Sequence, residues 1–219
     1  MEIKVLRNVM IKNNSVGKDN REIFVNKKVF VVNLVSSPGA GKTTLLENSI
    51  SSLVAKYKVA VIEGDLYTSR DAERLEKFNI PIVQINTEGG CHLDARMISG
   101  AINELNIDDV DVLFIENVGN LVCPSSFDLG EHKRVLIYSV TEGEDKPKKY
   151  STMFSTADVI IINKVDLSKA CKINIDQVEK EIMSINKKAL VLKTTALESD
   201  SLKEWLLWLE GEIERVKKS

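Results

Sequence analysis

The sequence predicts an α/β fold: a mostly parallel sheet of about seven strands with helices on both faces. Two observations support this fold class. Seven short segments are nearly continuous runs of Val, Ile and Leu, which is typical of strands covered on both faces. Helix-like patterns separate most of these runs, and such alternation indicates βαβ units. Ligands of such sheets bind beyond the carboxyl ends of the strands, so motifs that follow the strands should meet at one edge.

The predicted strands are Val29–Val35, Lys58–Glu63, Ile80–Asn86, Asp111–Glu116, Lys133–Val140, Asp158–Asn163 and Ala189–Thr194. The predicted helices are Lys42 to about Tyr57, Ser69–Phe78, Leu93–Leu105, Ile175–Asn186 and Leu202–Lys217. The first 27 residues fit this pattern poorly, since they suggest a small helix followed by a polar link at Asn13–Glu22. We therefore expect an N-terminal appendage over residues 1–27 and one main domain over residues 28–219.

Composition narrows the class of protein. With 43% hydrophobic residues among 219, the chain can bury a substantial core, and its net charge of −2 gives no general attraction to nucleic acid or anionic membrane. No apolar run approaches the roughly 20 residues that span a bilayer, and the first residues lack the apolar core of a signal peptide. We expect a cytoplasmic protein. Three cysteines, an odd and sparse set, argue against a disulfide framework.

The most informative motif is SSPGAGKTT at positions 36–44, between the first strand and a helix. Backbone N–H groups of such a turn converge on an anion at the positive end of the helix. Lys42 adds a charge that reaches the terminal phosphates, and the Thr43 hydroxyl can hold Mg²⁺, so both are candidate catalytic residues. Ser36 replaces the usual first glycine. The other expected contacts of this nucleoside triphosphate site are Ser37, Gly39, Ala40, Gly41 and Thr44.

A second motif, Asn163-Lys164-Val165-Asp166, follows the sixth strand and predicts guanine recognition. The Asp166 carboxylate can accept hydrogen bonds from N1 and N2 of guanine, whereas adenine would leave a buried carboxylate unpaired. Asn163 can bond the base edge or brace the neighbouring loop, and the Lys164 stem can cover one face of the ring. The run Thr194-Thr195-Ala196 is a candidate for a backbone contact to the base. These features predict binding of GTP and GDP.

Acidic residues end two strands near the phosphate loop. Asp65 and Glu116 are candidate catalytic carboxylates, because a carboxylate there can order water around Mg²⁺ or orient the water that attacks the γ-phosphate. Glu63 fits a strand-end cap better. Gly119 would let a backbone N–H contact the γ-phosphate and sense hydrolysis.

A candidate metal site combines Cys91 and His92, after the third strand, with Cys123, after the fourth. Thiolate and imidazole suit zinc and also nickel, and three ligands leave one position for water or a second chain. A buried structural thiol and a hydrogen-bonded loop histidine are the alternatives. Cys171 and His132 have no such companions and fit structural roles. Because Cys123 closely follows the γ-phosphate sensor, nucleotide state and metal affinity would be coupled, and such coupling is reciprocal.

Six segments carry a resemblance to a known family: SSPGAGKTTL, VIEGDLYTSRDAERL, QINTEGGCHLDARM, FIENVGNLVCPSSFDLGE, SVTEGEDKPKKY and NKVDL. Together they closely resemble the HypB family, GTPases that assist nickel insertion into [NiFe] hydrogenases. The resemblance covers about residues 29–168, and CHLDA and ENVGNLVCP are its most specific parts. Residues 1–28 contain no Cys or His, so it does not extend to the histidine-rich tract or the N-terminal cysteine cluster of some members.

The resemblance implies a nucleotide-binding domain of the group that includes signal-recognition-particle GTPases and MinD-type ATPases. It also implies GTP-dependent homodimerisation, slow hydrolysis, and partners in a nickel-delivery accessory protein and the hydrogenase large-subunit precursor. The family's metal site falls on Cys91, His92 and Cys123, and its guanine motif on Asn163, Lys164 and Asp166. Its phosphate loop falls on Gly39, Gly41, Lys42, Thr43 and Thr44. Lys146 matches a family loop and either contacts phosphate across a dimer or belongs to a solvated charge run.

Three other functions fit parts of the pattern. Urease-assisting GTPases share the segment at residues 63–73, but they carry Cys-Pro-His where this chain has Cys91-His92-Leu93. Phosphotransferases use the same phosphate loop, but they prefer ATP and bring an arginine-bearing lid. A metal-binding scaffold would use nucleotide only to stabilise a dimer, and phosphate release distinguishes it from a GTPase.

Overall fold

The computed structural model describes residues 8–65 and 70–219, and seven strands within them form one parallel sheet. The strands are β1 (Phe30–Ser36), β2 (Val59–Asp65), β3 (Ile82–Asn86), β4 (Val112–Glu116), β5 (Lys133–Ser139), β6 (Val159–Asn163) and β7 (Leu190–Lys193). Their order across the sheet is β3-β2-β4-β1-β5-β6-β7. The predicted fold class is confirmed, and each strand lies within two residues of its predicted ends.

The helices of the described residues are α1 (Asn8–Asn26), α2 (Lys42–Leu53), α3 (Arg70–Leu75), α4 (Ala95–Glu104), α5 (Lys146–Lys149), α6 (Ser151–Thr156), α7 (Ser168–Cys171), α8 (Ile175–Ile185) and α9 (Lys203–Lys218). The predicted start of α3, Ser69, lies outside the described residues. The sequence pattern missed the short helices α5, α6 and α7. In the described part of the chain, no helix is both long and apolar enough to cross a membrane.

Alternate residues of the strands pack on opposite faces of the sheet. Phe30, Val32 and Leu34 of β1 join a core with α2 and α9, in which Trp205 is fully buried. On the other face, α1 and α4 pack on one half of the sheet, and α6 and α8 pack on the other half. Because both faces are covered, the edge formed by the strand ends is where a ligand is expected to bind.

The polar link predicted at Asn13–Glu22 is wrong, because those residues belong to α1. Every third or fourth residue of this helix is buried, but three of the four, Asn13, Gly17 and Asn20, are not apolar, and only Phe24 is. The Asn20 amide nitrogen donates to Ala95 O at 2.8 Å and to Leu129 O at 3.1 Å, so this buried polar group is bonded inside the protein. A hydrophobic periodicity therefore could not reveal this helix.

Candidate functional site

Glycines shape the loop between β1 and α2, the candidate phosphate site. Gly39 and Gly41 have φ angles of 74° and 99°, which favour glycine. A Cβ atom at Gly41 would overlap the side-chain amide nitrogen of Asn163, whereas one at Gly39 would have no atom within 4 Å. Ser36 ends β1, is buried, and donates its hydroxyl to Ser37 O at 2.7 Å. The loop therefore forms with serine at the position where a glycine is usual.

Lys42 and Thr43, at the start of α2, contact one buried carboxylate. Lys42 Nζ lies 2.5 Å from Glu116 Oε1, and the Thr43 hydroxyl donates to the same oxygen at 2.7 Å. Glu116 is 0% exposed at the end of β4, and its Oε2 has no hydrogen-bond partner among residues 8–65 and 70–219. Thr43 and Glu116 therefore offer adjacent hard oxygen donors, the ligand type that Mg²⁺ prefers.

Asn163, at the end of β6, braces two loops. Its amide nitrogen donates to Ala40 O at 2.8 Å, and its Oδ1 accepts from the backbone N–H of Ala196 at 3.0 Å and from the Thr194 hydroxyl at 3.1 Å. The sequence left two roles open for Asn163, a bond to the base edge or bracing of a neighbouring loop. These contacts correspond to the bracing role. The phosphate loop and the loop after β7 are thereby fixed to each other.

The next residues of the base motif line the opening beside that brace. Lys164 adopts a left-handed conformation with φ 60°, and its ammonium group donates to Gly39 O at 2.7 Å. The Thr195 hydroxyl donates to Asp166 Oδ1 at 3.1 Å. The loop after β7 therefore contacts the motif through a side chain, and it fixes the carboxylate expected to contact the base.

These elements surround one cavity of about 630 Å³ at the carboxyl edge of the sheet, a volume suited to a nucleotide. The expected nucleotide residues that line it are Ser37, Gly39, Gly41, Lys42, Thr43, Thr44, Asp65, Gly119, Asn163, Lys164 and Asp166. Ala40 and Glu116 are buried against the loop, where they contact Asn163 and Lys42. A Cβ atom at Gly119 would come within 3.2 Å of Pro38, so the segment after β4 lies against the phosphate loop.

Sequence reasoning missed two charged residues of the cavity wall. Glu63, interpreted as a cap, is buried there on β2, and its register partner on β4 is Glu116. The sequence pattern that could have marked Glu63 is the pair of acidic residues Glu63 and Asp65, two positions apart at the end of β2. Arg74 of α3 donates to the Thr44 hydroxyl at 3.3 Å and pairs with Glu47, and no local pattern marks it.

Cys91, His92 and Cys123 lie together, as the sequence predicted. Their ligand atoms all lie within 4.8 Å of one another; Cys91 Sγ is 2.7 Å from Cys123 Sγ and 3.6 Å from His92 Nδ1. The cluster joins the loop after β3 to a short turn at Cys123–Ser126. Two thiols and an imidazole fit zinc or nickel and leave a coordination position open. Residues 8–65 and 70–219 contain no second group of this kind.

Local contacts shift the pKa values of Cys91 and His92. The hydrogen bond to the Cys123 thiol, followed by burial, raises the pKa of the Cys91 thiol. Burial lowers the pKa of His92, whose ring packs on Phe127 with centroids 3.9 Å apart. The lowered pKa favours the neutral imidazole that binds a metal, whereas the Cys91 thiol must lose its proton when a metal binds.

Comparisons with known proteins identify relatives of this chain. Residues 30–193 match the CobW/HypB/UreG nucleotide-binding domain family. The chain is 45% identical to the hydrogenase maturation factor HypB of Escherichia coli, over 96% of this chain and 72% of that protein. A crystal structure of HypB from Helicobacter pylori in complex with nickel has a TM-score of 0.88 and 38% identity, covering 93% of this chain and 96% of that one.

A more distant structure shares the fold. The signal recognition particle receptor FtsY from Elizabethkingia anophelis has a TM-score of 0.56 at 16% identity, over 91% of this chain and 74% of that one. Its likeness to this chain extends to the fold alone. The family match and the identity to the relatives confirm the resemblance found in the sequence: this chain belongs to the HypB family of hydrogenase maturation factors, within the CobW/HypB/UreG group.

Proposed function

We propose that this chain hydrolyses GTP to GDP and phosphate and uses the two nucleotide states to control a nickel- or zinc-binding site during [NiFe]-hydrogenase maturation. One observation carries the proposal: the nucleotide cavity and the Cys/His cluster lie at the same edge of the sheet, and the short segment from Glu116 to Cys123 joins them. Two relatives support it, one named a hydrogenase maturation factor and one solved in complex with nickel.

GTP is the nucleotide that this cavity favours. Asp166, fixed by Thr195, can accept from the two guanine donors, and Lys164 lies beside the base position. Lys42 sits at the start of α2, where the terminal phosphates meet the positive end of the helix. A base without two such donors would leave Asp166 with only its hydrogen bond from Thr195, which disfavours adenine.

Hydrolysis would use the carboxylates at the ends of β2 and β4. Thr43 and Glu116 would hold Mg²⁺, which neutralises phosphate charge when bound. Asp65, in the cavity wall, orients the attacking water. Lys42 stabilises the negative charge that develops on the phosphate oxygens. Membership of the HypB family implies a low intrinsic rate.

The metal would be the cargo of this switch. Cys91, His92 and Cys123 would bind Ni²⁺ or Zn²⁺ and leave one coordination position for water or for a second copy of the chain. A GTP-dependent homodimer would place two such clusters together. A nickel-delivery accessory protein and the hydrogenase large-subunit precursor are the proposed donor and acceptor of the metal.

The decisive experiment measures molecular mass and metal content on one sample, first with GDP and then with a non-hydrolysable GTP analogue. We expect the analogue to produce a dimer and to change Ni²⁺ binding, and we expect GTP to be turned over with phosphate release. Identical mass and metal content in both nucleotide states would mean that the two sites act independently. Nucleotide binding without phosphate release would instead indicate a scaffold.

A further inference from the structure

A buried asparagine connects the end of β4 to the first metal-ligand loop. Asn117 directly follows Glu116 and is 1% exposed. Its Oδ1 accepts hydrogen bonds from the backbone N–H of Leu93 at 3.2 Å and of Val118 at 3.0 Å. Leu93 directly follows His92. One side chain therefore joins the segment that contacts Lys42 and Thr43 to the loop that carries two metal ligands.

The other end of the same amide begins a chain of buried polar groups. Asn117 Nδ2 donates to Asn33 Oδ1 at 3.3 Å, and Asn33 Nδ2 donates to Glu131 Oε1 at 3.1 Å. That oxygen also accepts from Arg134 Nε at 3.1 Å and Nη2 at 2.8 Å. None of these four side chains belongs to the nucleotide cavity or the metal cluster, and all of them are buried.

Arg134 extends the chain to the second metal-ligand loop. Its Nη2 donates to Phe127 O at 2.7 Å, and its Nη1 donates to Ser125 O at 3.2 Å. Both carbonyls lie just after Cys123, and the Phe127 ring packs on His92. The polar chain thus begins at the nucleotide edge and reaches both loops of the metal cluster.

Packing makes this connection stiff. A Cβ atom at Gly64 would come within 2.8 Å of the Leu93 side chain, so Leu93 lies tightly against the end of β2 as well as being bonded to the segment after β4. Close-packed interiors do not absorb small shifts gradually, so a displacement at either strand end moves the loop as a unit. An apolar residue at position 117 would leave the Leu93 N–H and Asn33 Oδ1 unpaired.

We infer that Asn117 and Arg134 are positioning residues that transmit the nucleotide state to the two loops of the metal cluster. Asn117 acts on both loops, and Arg134 acts on the loop after Cys123 alone. This inference rests on the proposed function, because it names the residues through which GTP and GDP would change metal binding.

The first test needs no metal. Amide hydrogen exchange is measured for residues 90–95 and 122–128 in the metal-free protein, with GDP and with a non-hydrolysable GTP analogue. We expect protection to differ by at least about fivefold between nucleotides in the wild-type protein. Asn117→Ala should reduce the difference below about twofold in both segments, and Arg134→Lys only in residues 122–128. The control is Asn186→Ala, which lies just before β7 and removes side-chain bonds to Phe154 O and Ala157 O. This variant should retain the full difference in protection between the two nucleotides.

The second test measures the Ni²⁺ dissociation constant in each nucleotide state. For Asn117→Ala we expect one Ni²⁺ per chain as in the wild-type protein, but a ratio of the two constants near one. If Asn117→Ala weakens Ni²⁺ binding equally in both nucleotide states, the ratio of the two dissociation constants stays at its wild-type value. That result would overturn the inference while the proposed function stands. No nucleotide dependence in the wild-type protein would overturn both. Arg134→Lys keeps a cation beside Glu131 and decides the question alone if Asn117→Ala does not fold.

Discussion

The two candidate sites share one edge of the sheet but are constructed differently. The phosphate end of the nucleotide cavity is formed largely by backbone, with Gly39 and Gly41 in positive-φ conformations and a helix start that supplies N–H groups. The metal cluster consists of three partly exposed side chains on two loops. Backbone geometry therefore specifies the first site before a ligand arrives, whereas the second depends on the groups that hold its loops. A shift of the strand ends should change metal binding more than nucleotide binding.

The largest expected effect tests base recognition. Asp166→Asn replaces a double acceptor with an amide, so the preference for GTP over xanthosine triphosphate should fall by about 10³-fold. Competition binding with the two nucleotides measures it. Asp176→Asn, on the exposed first turn of α8, is the matched control and should change nothing. Unchanged discrimination by Asp166→Asn would remove Asp166 from the base site.

Loss of the phosphate-loop lysine should affect one site and spare the other. Lys42→Ala removes a charged contact to phosphate, so GTP affinity should fall by about 100-fold while Ni²⁺ stoichiometry is retained. Glu116 also loses its ion-pair partner, so some loss of stability, about 1–3 kcal/mol, is expected. Isothermal titration with GTP and with Ni²⁺ reports both effects. Equal weakening of the two ligands would contradict the separation of the sites.

The converse substitution lies in the metal cluster. Cys123→Ala removes one of three ligands, so Ni²⁺ affinity should fall by at least about 100-fold, more than loss of a group outside the ligand shell. GTP affinity should stay within about threefold. Cys171→Ala changes the third cysteine, which lies outside the cluster, and serves as the control. An unchanged Ni²⁺ stoichiometry and affinity in Cys123→Ala would refute the proposed ligand set.

Whether the sequence predicted a region depends on how far apart along the chain its interacting residues lie. The phosphate loop and the base motif are local patterns, and the strands are local apolar runs, so all were found. The buried face of α1 carries Asn13 and Asn20, whose partners are distant in sequence, and the pattern there suggested a link. The bonds of Asn117 to Leu93 and to Asn33 likewise join segments far apart along the chain. Polar contacts between residues distant in sequence leave no periodic pattern in the sequence. Contacts of this kind position the loops of the metal cluster.

The smallest effect tests whether backbone truly defines the nucleotide site. Gly41→Ala and Gly39→Ala both force a Cβ atom into a positive-φ conformation, which costs about 1 kcal/mol. Only the Cβ at position 41 meets Asn163, so overpacking should raise its cost to about 3 kcal/mol. Urea unfolding of the nucleotide-free variants measures the difference. Because Asn163 also fixes the loop after β7, Gly41→Ala should weaken GTP binding more than Gly39→Ala, with Ni²⁺ affinity unchanged in both. Equal costs would mean that the loop and the base motif are not in tight contact.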